Sequence, residues 1–388
     1  MNRRTEARSG TDPASVAIIA GQLVMGGAER QLLLWLSGMD RGLFSPVLVT
    51  LHPGEGDYWE PSVESLGIPL IRVGRRMNRA ARVLEIVRGL RPFRPRLVHA
   101  WHLFASPYGA AASRILGADA CLGSLRGSYE SFQRSRLQSR LTLAFVDGLL
   151  VNSQAAGDRV ARGQGKRSTR IFVVPNAVEN HFCDRSTARR ELCGRFGLND
   201  QELWIGSMGR IEKAKRFDLL LDLTASLLRS GERVRLLVIG DGPELPSLRE
   251  HARGLRLGEA VVFTGAQPEA RTWLNALDIF CFPSPDEGLP NVVMEAAAAG
   301  VPVVAWKTPA LAELLEDGVS GLLAPPEDTR RLEDAVRGLV HDAGRRQALG
   351  SAARMNILGQ FSVARFLERM TGAYTALLEG APRGRGMS

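Results

Sequence analysis

Ten short apolar runs, most followed by a stretch of helical character, constrain this chain more than any other feature. Residues 15–20, 45–51, 97–100, 148–151 and 171–174 carry them in the first half, and 203–207, 234–239, 260–264, 279–282 and 301–305 in the second. The runs are continuous in Val, Ile and Leu rather than alternating, which suits strands covered on both faces, as in parallel sheets. Helical patterns such as 29–39, 216–229 and 246–253 lie between them. Repeated strand–helix order predicts a doubly wound α/β architecture. A polar, charged stretch over 184–201 separates the two series. The expected organisation is a flexible tail over 1–14, Rossmann-like domains over 15–185 and 186–362 facing a central cleft, a helix over 363–380 packing back toward the first domain, and a disordered tail over 381–388.

Composition removes several function classes. No apolar run reaches the roughly 18 residues of a membrane-spanning helix. The four cysteines, Cys121, Cys183, Cys193 and Cys281, form no C-x-x-C pair, so neither a zinc site nor a disulfide framework is expected and a cytoplasmic setting fits. The formal net charge is +9, but residues 1–185 carry +10 and the remainder −1. Between Arg72 and Arg96, nine arginines face one acid, Glu85. Such a field attracts phosphates or anionic lipid. Nucleic acid is disfavoured, because aromatics are not interleaved and no binding motif occurs.

The sharpest chemical signal is the segment PSPDEGLPNVVMEAAAAGVP over 283–302. A strand ends in a Pro/Ser/Asp loop, a helix is expected to start near Pro290 or Asn291, and Gly300 ends it. Backbone N–H groups around Asn291 and Val292 suit a phosphate. Glu287 at that mouth suits sugar hydroxyls, and Glu295, about a turn deeper, a ribose diol. Alone, each glutamate reads as a surface charge; the ordered set outweighs that reading.

The segment resembles the E-x7-E signature of glycosyltransferase family 4, retaining enzymes of GT-B fold that use nucleotide sugars. Five further motifs are similar in family order. Gly26-Gly27-Ala28-Glu29-Arg30 matches the G-G-A-E-R turn, and Val174-Pro175-Asn176-Ala177-Val178-Glu179 the inter-domain I-P-N-G-V-D, with Ala177 for glycine. Gly209-Arg210-Ile211 with Lys215 matches the G-R-L-x-x-x-K clamp, and Gly240-Asp241-Gly242-Pro243 the G-D-G-P strand end. Glu313 to Gly318 with Gly321 to Leu323 resembles E-L-V-x-D-G-x-x-G-x-L.

The resemblance implies a hexosyltransferase in cell-surface polysaccharide or glycolipid biosynthesis. Glu287, His102, Arg210 and Lys215 would be catalytic, and Gly26, Gly27, Asn291, Val292, Glu295, Gly240 and Gly242 would bind the donor. His99 is a second register for the histidine, or a core residue. Arg126 is the weaker candidate for the acceptor side. Two cations aimed at a departing nucleoside diphosphate stabilise its growing charge. With no D-x-D motif, neither metal nor other cofactor is expected. Several positions depart from the pattern. Arg216 stands where glycine usually follows the clamp lysine, Pro309-Ala310 replaces a frequent Gly-Gly after Trp306 and Lys307, and Leu289-Pro290-Asn291 replaces Phe-Gly-Leu. The expected donor is a UDP-hexose or UDP-N-acetylhexosamine, with GDP-mannose as the other choice. The expected acceptor is a glycan or polyprenyl-diphosphate-linked sugar. A helix from Arg75 past Arg82, with Val83, Leu84, Ile86, Val87 and Leu90 as an apolar stripe, would touch an anionic membrane or else pack on the sheet. The competing readings are a nucleotide-sugar epimerase or hydrolase of the same shape, and a non-catalytic nucleotide-sugar-binding protein. A dinucleotide oxidoreductase would need G-x-G-x-x-G after the first strand, where Gly21 and Gly26-Gly27 are wrongly spaced.

Overall fold

The computed structural model describes residues 12–54, 57–74, 78–127, 132, 136–163, 169–180, 183–268 and 270–380. The chain divides into two units. The first takes the chain to Asn152, Ala156–Pro175 and the helix from Phe366 onward; the second takes Ser153–Ala155 and Asn176–Arg365. The division thus falls at Pro175, ahead of the expected boundary at 185. Residues 1–11 and 381–388, the greater part of the expected tails, lie outside the described residues, and Ala14 already belongs to a strand.

Among the described residues the first unit holds seven strands: β1 (Ala14–Ala20), β2 (Phe44–Thr50), β3 (Leu70–Arg72), β4 (Leu97–Ala100), β5 (Ala120–Leu125), β6 (Gly148–Val151) and β7 (Arg170–Val173). They form one sheet in the order β3-β2-β1-β4-β5-β6-β7, every pair parallel. The second unit holds β8 (Leu203–Met208), β9 (Val234–Ile239), β10 (Val261–Gly265), β11 (Ile279–Phe282), β12 (Val303–Trp306) and β13 (Leu322–Ala324), ordered β10-β9-β8-β11-β12-β13 and again parallel. Both sheets wind outward, then cross back and wind the other way. Each therefore has a switch point, β1/β4 in one unit and β8/β11 in the other, where loops at the carboxyl edge part and a ligand can enter.

Burial explains the continuous runs. In β9, Leu237 and Ile239 join one buried cluster while Val234, Leu236 and Val238 join the other; β12 splits in the same way, Val303 and Ala305 against Val304 and Trp306. Both faces are covered, and the polar residue of β9, Arg235 near its start, is bonded to Glu202 at 2.7 Å. Three strands were not among the ten runs. β3 and β13 are three residues long, and β5 is broken by Gly123 and Ser124.

One expectation is corrected and one pair of alternatives is decided. The stretch 184–201 contains a helix, Arg185–Phe196, with Asp184 accepting from the Thr187 N–H at 3.1 Å. Its inner face carries an arginine instead of an aliphatic residue, which hides the helical period. Arg189 is 9% exposed, lies 3.9 Å above the Trp204 ring and bonds Asp278. The arginine-rich helix spans Arg79–Leu90 and is capped by Asn78; Arg75 and Arg76 lie outside the described residues. Its stripe packs inward, with Ile86, Val87 and Leu90 buried and Leu84 exposed. Arg82 is itself buried and donates to the Tyr108 hydroxyl at 3.2 Å. Helix-on-sheet packing consumes the apolar face proposed for a membrane. Among the described residues, no helix is long and apolar enough to cross a membrane.

Candidate functional site

At the β8/β11 switch point of the second unit, the fold brings Lys215 and Glu287 into direct contact across 72 positions of sequence. The loop after β8 carries Gly209, Arg210 and a single 3-10 turn, Lys213–Lys215. The loop after β11 carries Ser284 and Glu287. Buried Ser284 donates from Oγ to the same Glu287 Oε1 that meets the lysine, at 2.8 Å. The side chains of Lys215 and Glu287 are 27% and 15% exposed, so the pair is sheltered yet reachable. An ammonium carries three donors, so contact with Glu287 leaves capacity for an anionic oxygen. Asn176 fastens the loop from behind, its buried Nδ2 donating to the Leu289 carbonyl at 2.9 Å.

Arg210 is not part of that contact. Its side chain is 70% exposed, and its Nε donates to Glu212 Oε1 at 2.6 Å. Arg216 explains why a glycine is frequent there: it holds φ +54 as the residue before the Phe217–Arg229 helix, with its side chain bonded to Asp218. Gly240 and Gly242 serve the backbone beneath the lysine loop. A Cβ at Gly240, whose φ is +140, would sit 1.9 Å from the Gly209 oxygen, and one at Gly242 would sit 2.3 Å from the Ile211 oxygen. The Ile211 N–H donates to the Asp241 carbonyl at 2.9 Å across the same crossing.

The helix after this loop spans Asn291–Ala298, with Pro290 as its cap and Gly300 beyond its end at φ +77. Its first intrahelical bond runs from the Met294 N–H to the Pro290 carbonyl, so the amides of Asn291, Val292 and Val293 precede the ladder. Glu295 lies one turn along, half-buried. At the opposite edge of this sheet a cavity of about 600 Å³ is lined by Arg185, Arg189, Asp200 and Asp278, whose charges pair with one another.

In the first unit, the β1/β4 switch point holds His102 and Glu29. The Gly21 N–H donates to His102 Nδ1 at 3.3 Å, which leaves the ring proton on Nε2, 3.2 Å from Glu29 Oε1. The backbone donor thereby selects the tautomer that bonds the carboxylate. Phe104 stacks on the ring at 5.3 Å between centroids. Glu29 stands in the first turn of the Gly27–Gly38 helix, where the helix dipole favours a carboxylate. Gly26 is extended at φ −143, and a Cβ there would meet the Glu29 carboxylate at 2.1 Å. Room for Glu29, not left-handed backbone, is what glycine supplies at this turn. The Trp101 indole closes the arrangement, donating to the Ala28 carbonyl at 2.8 Å.

His99 is the core histidine of the two alternatives. It is fully buried between the Tyr374 hydroxyl and Ser124 Oγ, each 2.7 Å away, and burial holds its pKa well below the ordinary histidine value. Arg126 follows β5, with its guanidinium carbon over the Trp101 ring, 3.5 Å from the centroid. Burial of the guanidinium pushes its pKa down to about 9, which leaves it cationic at neutral pH. Glu29, Trp101, Ser284 and Asn176 were given no role in the sequence reading. The acid in a first helical turn was a signal for Glu29, and Ser284 stands three residues before Glu287 in the same loop; the bonds of Trp101 and Asn176 join segments 73 and 113 residues apart and become visible only in the fold. Among the described residues, no three His, Cys, Asp or Glu side chains gather where a metal ion could be held.

Comparison with known proteins follows the same division. Residues 25–182 match the family model described as Glycosyltransferase Family 4, and 189–356 match Glycosyl transferases group 1. The chain is 27% identical over 366 residues to a lipopolysaccharide core biosynthesis glycosyltransferase of Rhizobium meliloti, covering 92% of this chain and 97% of that protein. It is 27% identical to an alpha-D-kanosaminyltransferase of Streptomyces kanamyceticus, over 75% of this chain and 81% of that one. Anabaena Alr3699/HepE, solved in complex with UDP and glucose, has a similar fold, with a TM-score of 0.82 and 21% identity over 94% of this chain and all of its own.

Proposed function

The chain belongs to the GT-B glycosyltransferases, with family 4 and group 1 sequence models over its two halves, and from that premise we propose that it moves a hexose or N-acetylhexosamine from a nucleotide sugar to a glycan or lipid-linked acceptor, with retention of anomeric configuration. The observation that carries the reading is the Lys215–Glu287–Ser284 contact at the β8/β11 switch point. A UDP-sugar is the preferred donor, as in the Anabaena complexes, and GDP-mannose is the second choice.

In this reading Lys215, assisted by the exposed Arg210, receives the negative charge that grows on the diphosphate as its bond to the sugar breaks. The amides of Asn291 and Val292 add dipoles of the same sign. Glu287, fixed by Ser284, orients sugar hydroxyls, and Glu295 holds the ribose. The acceptor oxygen bonds to the anomeric carbon on the face that the leaving group vacates, and its proton passes to the departing phosphate oxygen. No side-chain base and no metal ion are needed for that balance. The resemblance gives Gly26, Gly27 and His102 the sugar side; Arg126, which follows β5, is assigned the acceptor side from its place after that strand. Gly240 and Gly242 act by shaping the lysine loop.

Peripheral attachment to an anionic membrane belongs to the same proposal, on charge alone. Arg72 is bonded to Glu60 and Glu64 and Arg96 to Asp119, so the arginine run is partly neutralised. A thermal-shift panel of nucleotide sugars, followed by product analysis with the best binder, tests the function. A raised melting point and a new glycoside with its nucleoside diphosphate are expected. Donor loss without a glycoside would indicate an epimerase or hydrolase, and no shift with any nucleotide would falsify the proposal.

A further inference from the structure

Inside the first unit, four fully buried polar side chains form a chain that the proposed reaction does not use. The Trp35 indole donates to the Tyr374 hydroxyl at 3.0 Å; that hydroxyl lies 2.7 Å from His99 Nδ1; His99 Nε2 lies 2.7 Å from Ser124 Oγ. The direction of the bonds follows from the donors available. An indole N–H can only donate, so the phenol accepts from it and needs an acceptor for its own proton. His99 Nδ1 supplies that acceptor, which puts the ring proton on Nε2, facing Ser124. Burial raises the Tyr374 pKa and lowers that of His99, so both stay neutral through the physiological range. The rings also pack edge to face, Trp35 on Tyr374 at 5.1 Å and His99 on Tyr374 at 5.6 Å.

What this chain joins is more informative than its strength. Trp35 lies on the Gly27–Gly38 helix, whose first turn holds Glu29. His99 lies on β4, three residues before His102, and Ser124 on β5, two before Arg126. Tyr374 comes from the last helix, Val363–Gly380, more than 200 residues further along the chain. One hydroxyl from that helix therefore bridges a helix and a strand that each present a group at the β1/β4 edge, and His99 extends the link to a third.

We infer that Tyr374 is a positioning residue, whose hydroxyl sets the register between the Gly27–Gly38 helix, β4 and β5 and thereby the placement of Glu29, His102 and Arg126. A buried network whose members pair with one another favours one arrangement, because a slip strands a polar group. The catalytic consequence rests on the transferase reading; the geometric one does not.

Two variants on the same helix separate positioning from packing. Tyr374→Phe removes one oxygen and keeps the ring; Met370→Ala, at another fully buried position, removes apolar volume and none of the hydrogen-bonding groups of the chain. The readouts are the His102 imidazole resonances by NMR, the melting point, and kcat and KM with the best donor. Tyr374→Phe is expected to move the His102 resonances and to lower kcat roughly tenfold or more with little change in KM, the scale of a misplaced group. Met370→Ala is expected to lower the melting point while leaving the resonances in place and kcat within about threefold, since it displaces no reacting group. Should Tyr374→Phe not fold, Trp35→Phe cuts the chain at its outer end and is judged in the same way. Unmoved His102 resonances overturn the inference whatever the activity. Absence of transfer by the unaltered protein removes the transferase reading alone, and the resonances still decide the positioning.

Discussion

Lys215→Ala separates a charge that assists bond breaking from one that merely decorates a loop. The ammonium meets Glu287 in a sheltered position, so an incoming diphosphate would find it incompletely hydrated. If about half a charge accumulates on the leaving oxygen roughly 4 Å away, an effective dielectric of about 20 makes the interaction worth about 2 kcal/mol. Loss of a single electrostatic donor in other active sites costs about 2.7–4 kcal/mol. A barrier higher by 2–4 kcal/mol slows turnover about 30- to 900-fold. Stability should change far less. The lysine is 27% exposed, and after its removal Glu287 keeps the Ser284 bond, so a cost near 1 kcal/mol is expected. For a unit of this size that lowers the melting point by about 2–4 °C. Initial rates of nucleoside diphosphate release over a donor titration, with a melting curve on the same sample, make the comparison. The reasoning is refuted if KM rises with kcat unchanged, which is the mark of uniform binding, or if kcat falls less than about fivefold in a folded protein. Glu287→Ala should abolish transfer with the fold intact, and the double variant should be little worse than Glu287→Ala, because groups in contact do not add.

Four further outcomes are expected. Gly240→Ala should destabilise the second unit by on the order of 3 kcal/mol, read by urea unfolding, because its Cβ would lie 1.9 Å from the Gly209 oxygen in left-handed backbone; a loss under about 1 kcal/mol would contradict the crossing described. His99, neutral when folded and free to protonate near pH 6.5 when unfolded, makes the unfolded state bind more protons as pH falls. Stability from this group is complete above about pH 6.5 and falls below it by up to about 1.4 kcal/mol per pH unit, a slope that His99→Gln should flatten in melting curves. Transfer should persist in excess EDTA, and recovery only on adding a divalent ion would count against the cationic clamp. Binding to anionic vesicles should occur at low salt and vanish at high salt, given about 1 kcal/mol per juxtamembrane basic residue; no sedimentation at either would remove the membrane contact.

Legibility was uneven for physical reasons. A strand buried on both faces declares itself, and 97–100, 148–151, 234–239 and 279–282 coincide with β4, β6, β9 and β11. The Arg185–Phe196 helix did not, because Arg189 fills a position where an aliphatic side chain would have completed the period. The arginine-rich helix showed its stripe but not its direction, since an apolar face reads the same whether sheet or lipid covers it. Among the site residues, Lys215 and Glu287 were chosen as separate charges; their contact depends on β8 and β11 being neighbours, which no local pattern states.

The order of residues alone settled the doubly wound class, the two series of strands and the loops that carry charge, because each depends on hydrophobic runs and turn chemistry within a few positions. Folding in three dimensions decided which of His99 and His102 lies at the edge, that Arg210 turns toward Glu212, and that Tyr374 reaches His99. Those outcomes depend on hydrogen-bond distances between segments tens to hundreds of residues apart, where a shift of one ångström exchanges a bonded partner for solvent.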